Sequence, residues 1–278
     1  SSDLAISGII LPMLPHKNLI PDINLTPYSI WLATVVVSGI SYLSYLLKRY
    51  VFHESGVLVS GIIGGLYSST ATISVLARKS RKASAQEANE YVAAMLLAVS
   101  MMFLRFMILI LIFSREIFMS IYPYLLIMSV VAAVVAWFIH SRQRRSKDLS
   151  ADSEEEDSSN PLEFKVALIF ATLFVIFTVL THYTLVYAGT GGLNLLSFVS
   201  GLSDITPFIL NLLQNTGSVA VLIVVACSMQ AIISNILVNM FYALFFAGKG
   251  SKLRPWILGG FGTVIGVNLV LLLFFYFI

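Results

Sequence analysis

The sequence predicts an all-α polytopic membrane protein with six transmembrane spans and two broken, re-entrant helix pairs, arranged as two inverted-topology repeats. Three observations lead to this prediction: an apolar composition, a series of long apolar runs, and two polar, glycine-bearing segments inside apolar surroundings. Of the 278 residues, 58% are hydrophobic and 11% are charged, whereas a soluble domain has roughly 45–50% apolar and about 25% charged residues. The lipid bilayer is therefore the first predicted partner of the chain.

The apolar runs form two sets of three, and each set surrounds one unusual segment. The predicted spans are residues 28–47, 91–113, 121–139, 164–186, 218–247 and 256–278. About 20 apolar residues are enough to cross the hydrocarbon core of a bilayer. Both sets have the order span, broken element, span, span, which is an internal repeat. The predicted organisation is a tail of a preceding segment with a connection (1–27), repeat 1 (28–140), a charged loop (141–160) and repeat 2 (161–278).

The first broken element covers residues 56–77 and contains three glycines and four serines or threonines between Gly61 and Thr72. The second covers residues 191–214 and contains the sequence Ser-Gly-Leu-Ser-Asp-Ile-Thr-Pro at 200–207. Aligning Gly65 with Gly201 pairs Ser68 with Asp204 and Thr70 with Thr206. Glycine lets backbones approach closely, and Ser or Thr side chains satisfy backbone groups that are freed where a helix breaks.

The distribution of basic residues favours re-entry of both elements over crossing. If each element returns to its own side, 14 of the Lys and Arg residues other than Arg105 face one compartment, and only Lys17 and Arg115 face the other. If each element crosses, the split is 10 against 6. The positive-inside rule therefore favours re-entry. Each repeat then has three crossings, so the second repeat is inserted upside down, as in many transport proteins.

At each break, one half-helix is expected to end and another to begin near the membrane midplane. We expect Ser69 or Thr70 to cap the first new half-helix, and Thr206 to cap the second with Pro207 at its first position. The half-helices that end near Gly65 and Gly201 would present carbonyl groups. Such a site can hold an anion on N–H groups or a cation on C=O groups.

The candidate pathway combines the hydroxyl residues of the breaks with the few charged and amide side chains inside the spans. Asp204 is the one deep carboxylate and the candidate metal ligand, and Arg105 is the one deep guanidinium. These two either line the pathway or pair with each other to lock the repeats together. Capping and close packing also explain the hydroxyls. The predicted pathway residues are Ser68, Ser69, Thr70, Thr72, Arg105, Asp204, Thr206, Asn235 and Asn239.

Two further patterns leave alternatives open. Asn235 and Asn239 lie four residues apart on one helical face, where they line a cavity or make hydrogen bonds between helices. Gly262 and Gly266 form a Gly-x-x-x-Gly pattern that suits close helix packing, either within one chain or in a homodimer. The single cysteine, Cys227, excludes an intrachain disulfide and a cysteine-based metal site.

The chain resembles the C-terminal domain of unknown function, DUF4010, of MgtC/SapB-family membrane proteins. The resemblance rests on Gly64-Gly65-Leu66 with Ser68-Ser69-Thr70-Ala71-Thr72, on Phe103-Leu104-Arg105, on Asn160-Pro161-Leu162-Glu163 and on Gly201-Leu202-Ser203-Asp204. The resemblance implies magnesium-related transport and an MgtC-like domain that precedes residue 1 as a partner.

The predicted function is an ion channel or secondary transporter for a small inorganic ion, with a divalent cation such as magnesium favoured. The alternatives are an anion channel or transporter and a non-transporting membrane regulator or partner domain. We expect no enzymatic activity, because an aspartyl protease needs two carboxylates and only Asp204 is deep. No cofactor or nucleic-acid partner is expected. The predicted location is a bacterial or archaeal inner membrane, with the basic loops and the loop at 141–160 in the cytoplasm.

Overall fold

A computed structural model describes residues 10–20, 23, 25–51, 56–81, 83, 87–142, 164–214, 219–248, 251 and 253–277. In this part of the chain there are eight α-helices and no sheet. The helices are α1 (Pro27–Leu46), α2 (Val57–Lys79), α3 (Ala88–Phe113), α4 (Arg115–Ser141), α5 (Phe164–Ser200), α6 (Ile205–Gln214), α7 (Val221–Ala247) and α8 (Arg254–Phe277). All except the ten-residue α6 are long and apolar enough to cross a membrane. The all-helical polytopic class is therefore confirmed.

The six predicted spans correspond to α1, α3, α4, the first part of α5, α7 and α8. The predicted repeat boundaries stay a prediction. Most of the charged loop predicted at 141–160 lies outside the described residues, which include Ser141 and Arg142 of this loop and begin again at Phe164.

Local sequence explains where several of these helices begin and bend. At the start of α1, the Ser29 amide donates to Thr26 Oγ1 at 3.0 Å, and the Thr26 amide donates to Ser29 Oγ at 3.1 Å. This reciprocal arrangement satisfies two amides that have no partner within a helix. In α5, Gly189 has φ 59° and ψ −152°, a conformation that glycine tolerates and other residues do not. Helix α5 is therefore two helical segments, 164–188 and 190–200.

The chain divides into two compact units, and each contains one broken helix pair. Unit 1 comprises Ser1–Tyr42, Ile108–Ile121 and Ser159–Asn235, and unit 2 comprises Leu43–Met107, Tyr122–Ser158 and Ile236–Ile278. The first helix pair, residues 57–67 and 69–79 of α2, belongs to unit 2. The second helix pair, residues 190–200 of α5 and helix α6, belongs to unit 1.

In unit 2, the end of α2 is attached to the last turn of α7. Arg81 donates from Nη2 to the Phe245 carbonyl at 3.2 Å and from Nε to the Phe246 carbonyl. The Arg78 guanidinium lies 4.3 Å from the centroid of the Phe246 ring. Arg81 immediately precedes the short segment that leads into α3, so the start of α3 and the end of α7 lie at the same end of this unit. Helix α3 and the unit 2 part of α7 therefore run in opposite directions.

Candidate functional site

The first break lies at Ser68, whose extended backbone (φ −157°, ψ 107°) interrupts α2. Ser68 Oγ accepts a hydrogen bond from the Ala71 amide at 3.4 Å, as a helix N-cap does. A β-carbon added at Gly64 would collide with the side chain of Thr72. Residues eight positions apart in a continuous helix are separated by about 12 Å. The two halves of α2 therefore fold back against each other at Ser68.

Helix α3 packs along the first half of α2 and supplies a donor at the break. A β-carbon at Gly65 would lie 2.5 Å from Ala98 Cα, and one at Gly61 would collide with the backbone of Ala94. Arg105 Nη1 donates to the Tyr67 carbonyl at 2.7 Å. The order of these contacts shows that residues 57–67 run parallel to α3. Arg105 thus satisfies a carbonyl that the interrupted helix leaves without its usual partner.

The second break lies between Ser200, where α5 ends, and Ile205, where α6 begins. Asp204 Oδ1 accepts a hydrogen bond from the Thr206 amide at 3.0 Å, so Asp204 occupies the N-cap position of α6. Asp204 itself is exposed, whereas Thr206 is almost completely buried. The negative carboxylate lies at the positive end of the helix dipole, which is its favoured position.

Helix α7 packs along residues 190–200 in the same way. Cys227 Sγ donates to Asn194 Oδ1 at 3.5 Å, and Ser234 Oγ donates to the Phe198 carbonyl at 2.7 Å. A β-carbon at Gly201 would collide with the Ser234 side chain. Because the contacts advance along both segments together, residues 190–200 run parallel to α7.

An amide of α7 supplies the donor at this second break. Asn235 Nδ2 donates to the Gly201 carbonyl at 3.3 Å and to the Ser203 carbonyl at 3.4 Å. Asn235 is 4% exposed, and its hydrogen bond to the buried Gly201 is shielded from solvent, while the one to Ser203 is partly buried. Asn235 therefore makes the interhelical hydrogen bonds that were one of its two predicted roles.

The contacts in the two units share one sequence separation. Gly61 lies 33 residues before Ala94, Gly65 lies 33 residues before Ala98, and Gly201 lies 33 residues before Ser234. Asn194 and Cys227 are separated by the same 33 residues. In both units, each of these close-packed residues therefore contacts the residue of the following long helix that lies 33 positions later in the sequence.

Comparison with known proteins gives one family for this arrangement. The model of the family described as "Domain of unknown function (DUF4010)" matches residues 35–247, which include both breaks. The chain belongs to the DUF4010 family. An "Uncharacterized protein" of Aquifex aeolicus (strain VF5) is 26% identical to it over 220 residues, which are 78% of this chain and 94% of the relative. No solved structure matches the chain.

The breaks of this DUF4010 chain lie where the sequence placed them, but the caps differ from the prediction. Ser68, not Ser69 or Thr70, accepts the capping hydrogen bond of the first pair. Asp204, not Thr206, accepts that of the second. A cap is the residue whose backbone has already left the helix, and the packing against α3 and α7 decides which residue that is. The two observed caps are the pair that the alignment of Gly65 with Gly201 brings together.

The remaining predicted site residues are distributed along the same elements. Ser69 is buried, Thr70 is half-buried with its carbonyl accepting from Ser74 Oγ at 2.8 Å, and Thr72 contacts the Gly64 position. Asn239 is fully buried on α7, one turn after Asn235. Within the described residues, no group of three or more His, Cys, Asp or Glu side chains is placed to hold a metal ion. Asp204 as a metal ligand stays a prediction.

Sequence reasoning missed Ser234 and Gly189 in this DUF4010 chain. Ser234 contacts both Phe198 and Gly201, and Gly189 separates the second helix pair from the preceding span. The 33-residue separation of Gly65 from Ala98, applied to Gly201, identifies Ser234. Gly189 lies in a stretch with Gly191 and Gly192, a cluster that signals a helix interruption.

Proposed function

We propose that this DUF4010 chain is a channel or secondary transporter for a small cation, and that the two broken helix pairs line its pathway. The observation that carries the proposal is the repeated construction of the breaks. In each unit a helix is interrupted at the break, and the segment before the break runs parallel to the following long helix at the same 33-residue separation. Discontinuous helices in repeated units are typical of transport proteins.

The same observations support two inverted repeats with re-entrant hairpins. Both ends of α2 lie at the start of α3, because residues 57–67 run parallel to α3 and a short segment joins Lys79 to Ala88. The attachment of Arg81 to the end of α7 supports opposite directions for α3 and α7. Each hairpin would then enter from the side on which its own long helix begins.

The charges at the breaks favour a cation over an anion. Asp204 is exposed and carries a negative charge at the second break, whereas the Arg105 guanidinium is half-buried and directed to the Tyr67 carbonyl. A carboxylate is a ligand for cations. The resemblance to MgtC/SapB proteins makes magnesium the first ion to test. Arg105 favours the alternative, an anion pathway at the first break.

The test is ion flux into liposomes that contain the purified chain, measured separately for Mg²⁺, Na⁺, K⁺ and Cl⁻. We expect cation flux in the wild type, loss of most of that flux in Asp204→Asn, and no change in Glu116→Gln, an exposed carboxylate at the start of α4. Asn caps helices as well as Asp does, so Asp204→Asn removes the charge and keeps the fold.

Three outcomes would contradict the cation proposal. Equal flux in the wild type and Asp204→Asn would exclude the second break from the pathway. Chloride flux that Arg105→Gln abolishes would establish the anion alternative. No flux of any ion, together with stable association with another membrane domain, would favour the non-transporting regulator.

A further inference from the structure

A stripe of buried polar side chains runs between α5 and α6 in unit 1. Asn211 Nδ2 donates to Thr178 Oγ1 at 2.6 Å, and Thr178 Oγ1 donates to the Phe174 carbonyl at 2.8 Å. The Phe177 and Phe208 rings pack edge to face with centroids 5.7 Å apart. Contacts from Phe177 to Phe208 and from Thr178 to Asn211 advance together, so the two helices run in the same direction.

One turn further along, the stripe contains two oxygen atoms without hydrogen-bond partners. Thr181 follows Thr178 by three residues, and Gln214 follows Asn211 by three, so both lie on the facing surfaces of the parallel helices. Thr181 is 2% exposed, and its Oγ1 has no hydrogen-bond partner among the described residues. Gln214 Nε2 donates to the Ser29 carbonyl at 3.3 Å, while its buried Oε1 has no such partner there.

Thr181 differs from other threonines of the described helices. The Oγ1 atoms of Thr34, Thr172, Thr178 and Thr263 each donate to the carbonyl four residues earlier. Thr181 is buried without making that bond. Buried polar groups almost always have a partner, which is protein, water or a ligand. The Thr181 hydroxyl and the Gln214 carbonyl oxygen are therefore available to a bound species.

We propose that Thr181 Oγ1 and Gln214 Oε1 are ligands of a site for an alkali-metal cation at the C-terminal end of α6. Helix α6 ends at Gln214, so the carbonyls of its last turn lack partners within the helix and form its negative end. The ligands are neutral oxygens, which suit a monovalent cation. Mg²⁺ retains waters and prefers carboxylates.

This site deepens the proposed function and rests on it. Asp204, Asn211 and Gln214 lie at intervals of seven and three residues, which places them on one face of α6. Pro207 and Phe208 occupy this face between Asp204 and Asn211, and Asn211 and Gln214 make its last turn polar. In the proposed route, the alkali-cation site lies at the end of α6 opposite to Asp204.

The test measures thermal unfolding of the purified chain in detergent, in NaCl or KCl against choline chloride at equal ionic strength, with MgCl₂ as a further arm. We expect an alkali cation to raise the Tm of the wild type by several degrees and to leave the Tm of Thr181→Val unchanged. Valine has the shape of threonine without the hydroxyl, so in choline Thr181→Val should be as stable as the wild type or more stable. Thr172→Val, on the exposed side of α5, is the matched control and should keep the rise.

A second variant, Gln214→Glu, places a carboxylate at the site and should increase the cation-dependent rise. The site is refuted if the wild type has equal Tm in sodium, potassium and choline, which would mean that water alone occupies it. It is also refuted if Thr181→Val keeps the full rise, or if only Mg²⁺ stabilises the protein. A cation-dependent rise in a protein that conducts no ion would refute the transport proposal and retain the site. Ion flux without a cation-dependent rise in Tm would refute the alkali-cation site and leave the transport proposal standing.

Discussion

At the first break the donor that reaches the backbone is a guanidinium, Arg105, whereas at the second it is a neutral amide, Asn235. They bond to the carbonyls of Tyr67 and Ser203, which the alignment of Gly65 with Gly201 brings together. The donors themselves come from positions that do not correspond in that alignment. A broken helix in an apolar environment needs a donor for this carbonyl, and the sequence satisfies the need in two unrelated ways.

For the capping residues, the charged side chain is at the second break instead of the first. Ser68 caps the first pair with a neutral hydroxyl, and Asp204 caps the second with a carboxylate. The donor is charged at the first break and neutral at the second, and the cap is neutral at the first and charged at the second. A neutral side chain is therefore sufficient for either structural role, so neither charge is needed for the backbone alone. Charges are costly inside a membrane. The positive charge at the first break and the negative charge at the second are therefore the features that the proposed transport function would use.

The largest expected effect comes from filling the glycine contacts, which tests whether the two breaks share one packing plan. Gly65→Ala and Gly201→Ala each place a methyl group against α3 or α7, where the backbone of Ala98 or the Ala231 carbonyl blocks it. We expect each to destabilise the protein by about 1–3 kcal/mol, measured as a lower Tm in detergent. Gly262→Ala, with open space around its position, should leave Tm unchanged. Equal effects at all three positions would contradict the shared plan.

The next largest loss of stability is expected from removing the side chains that donate to the backbone at the breaks. Asn235→Leu removes two hydrogen bonds to carbonyls and Arg105→Met removes one, and each such hydrogen bond contributes about 1 kcal/mol. Thermal unfolding should therefore show a larger loss for Asn235→Leu. Arg105→Gln keeps a neutral donor and should recover much of the stability that Arg105→Met loses. Arg115→Met, at the exposed start of α4, is the control. If Arg105→Gln were as unstable as Arg105→Met, the charge itself would be structural.

The smallest effect concerns the caps. Asp204→Ala should cost about 0.5–2 kcal/mol, as loss of an N-cap does, while Asp204→Asn should be close to neutral. Ser68→Ala should cost less than Asp204→Ala, because its capping hydrogen bond is 3.4 Å long against 3.0 Å. The measurement is again Tm in detergent. A large loss in Asp204→Asn would show that the fold requires the carboxylate charge.

Much of the helical architecture could be predicted from the chain. The spans follow from apolar length, and the breaks follow from glycine, serine and threonine in apolar surroundings. The capping residues, the choice between the two predicted roles of Asn235 and the hydrogen bond of Arg105 could not be predicted, because they depend on which residue of a neighbouring helix reaches a freed backbone group. The hydrogen bond between Asn211 and Thr178 depends likewise on the register between α5 and α6.

The amino-acid sequence by itself determined a membrane-embedded, all-helical chain with two interruptions, because hydropathy and the conformational preferences of glycine act locally. The tertiary structure decided that α2 folds back at Ser68 and that the segment before each break lies parallel to the next long helix. It also decided which side chain completes each break. These features depend on close packing and hydrogen bonding between segments about 33 residues apart, and local preferences carry no information about such contacts.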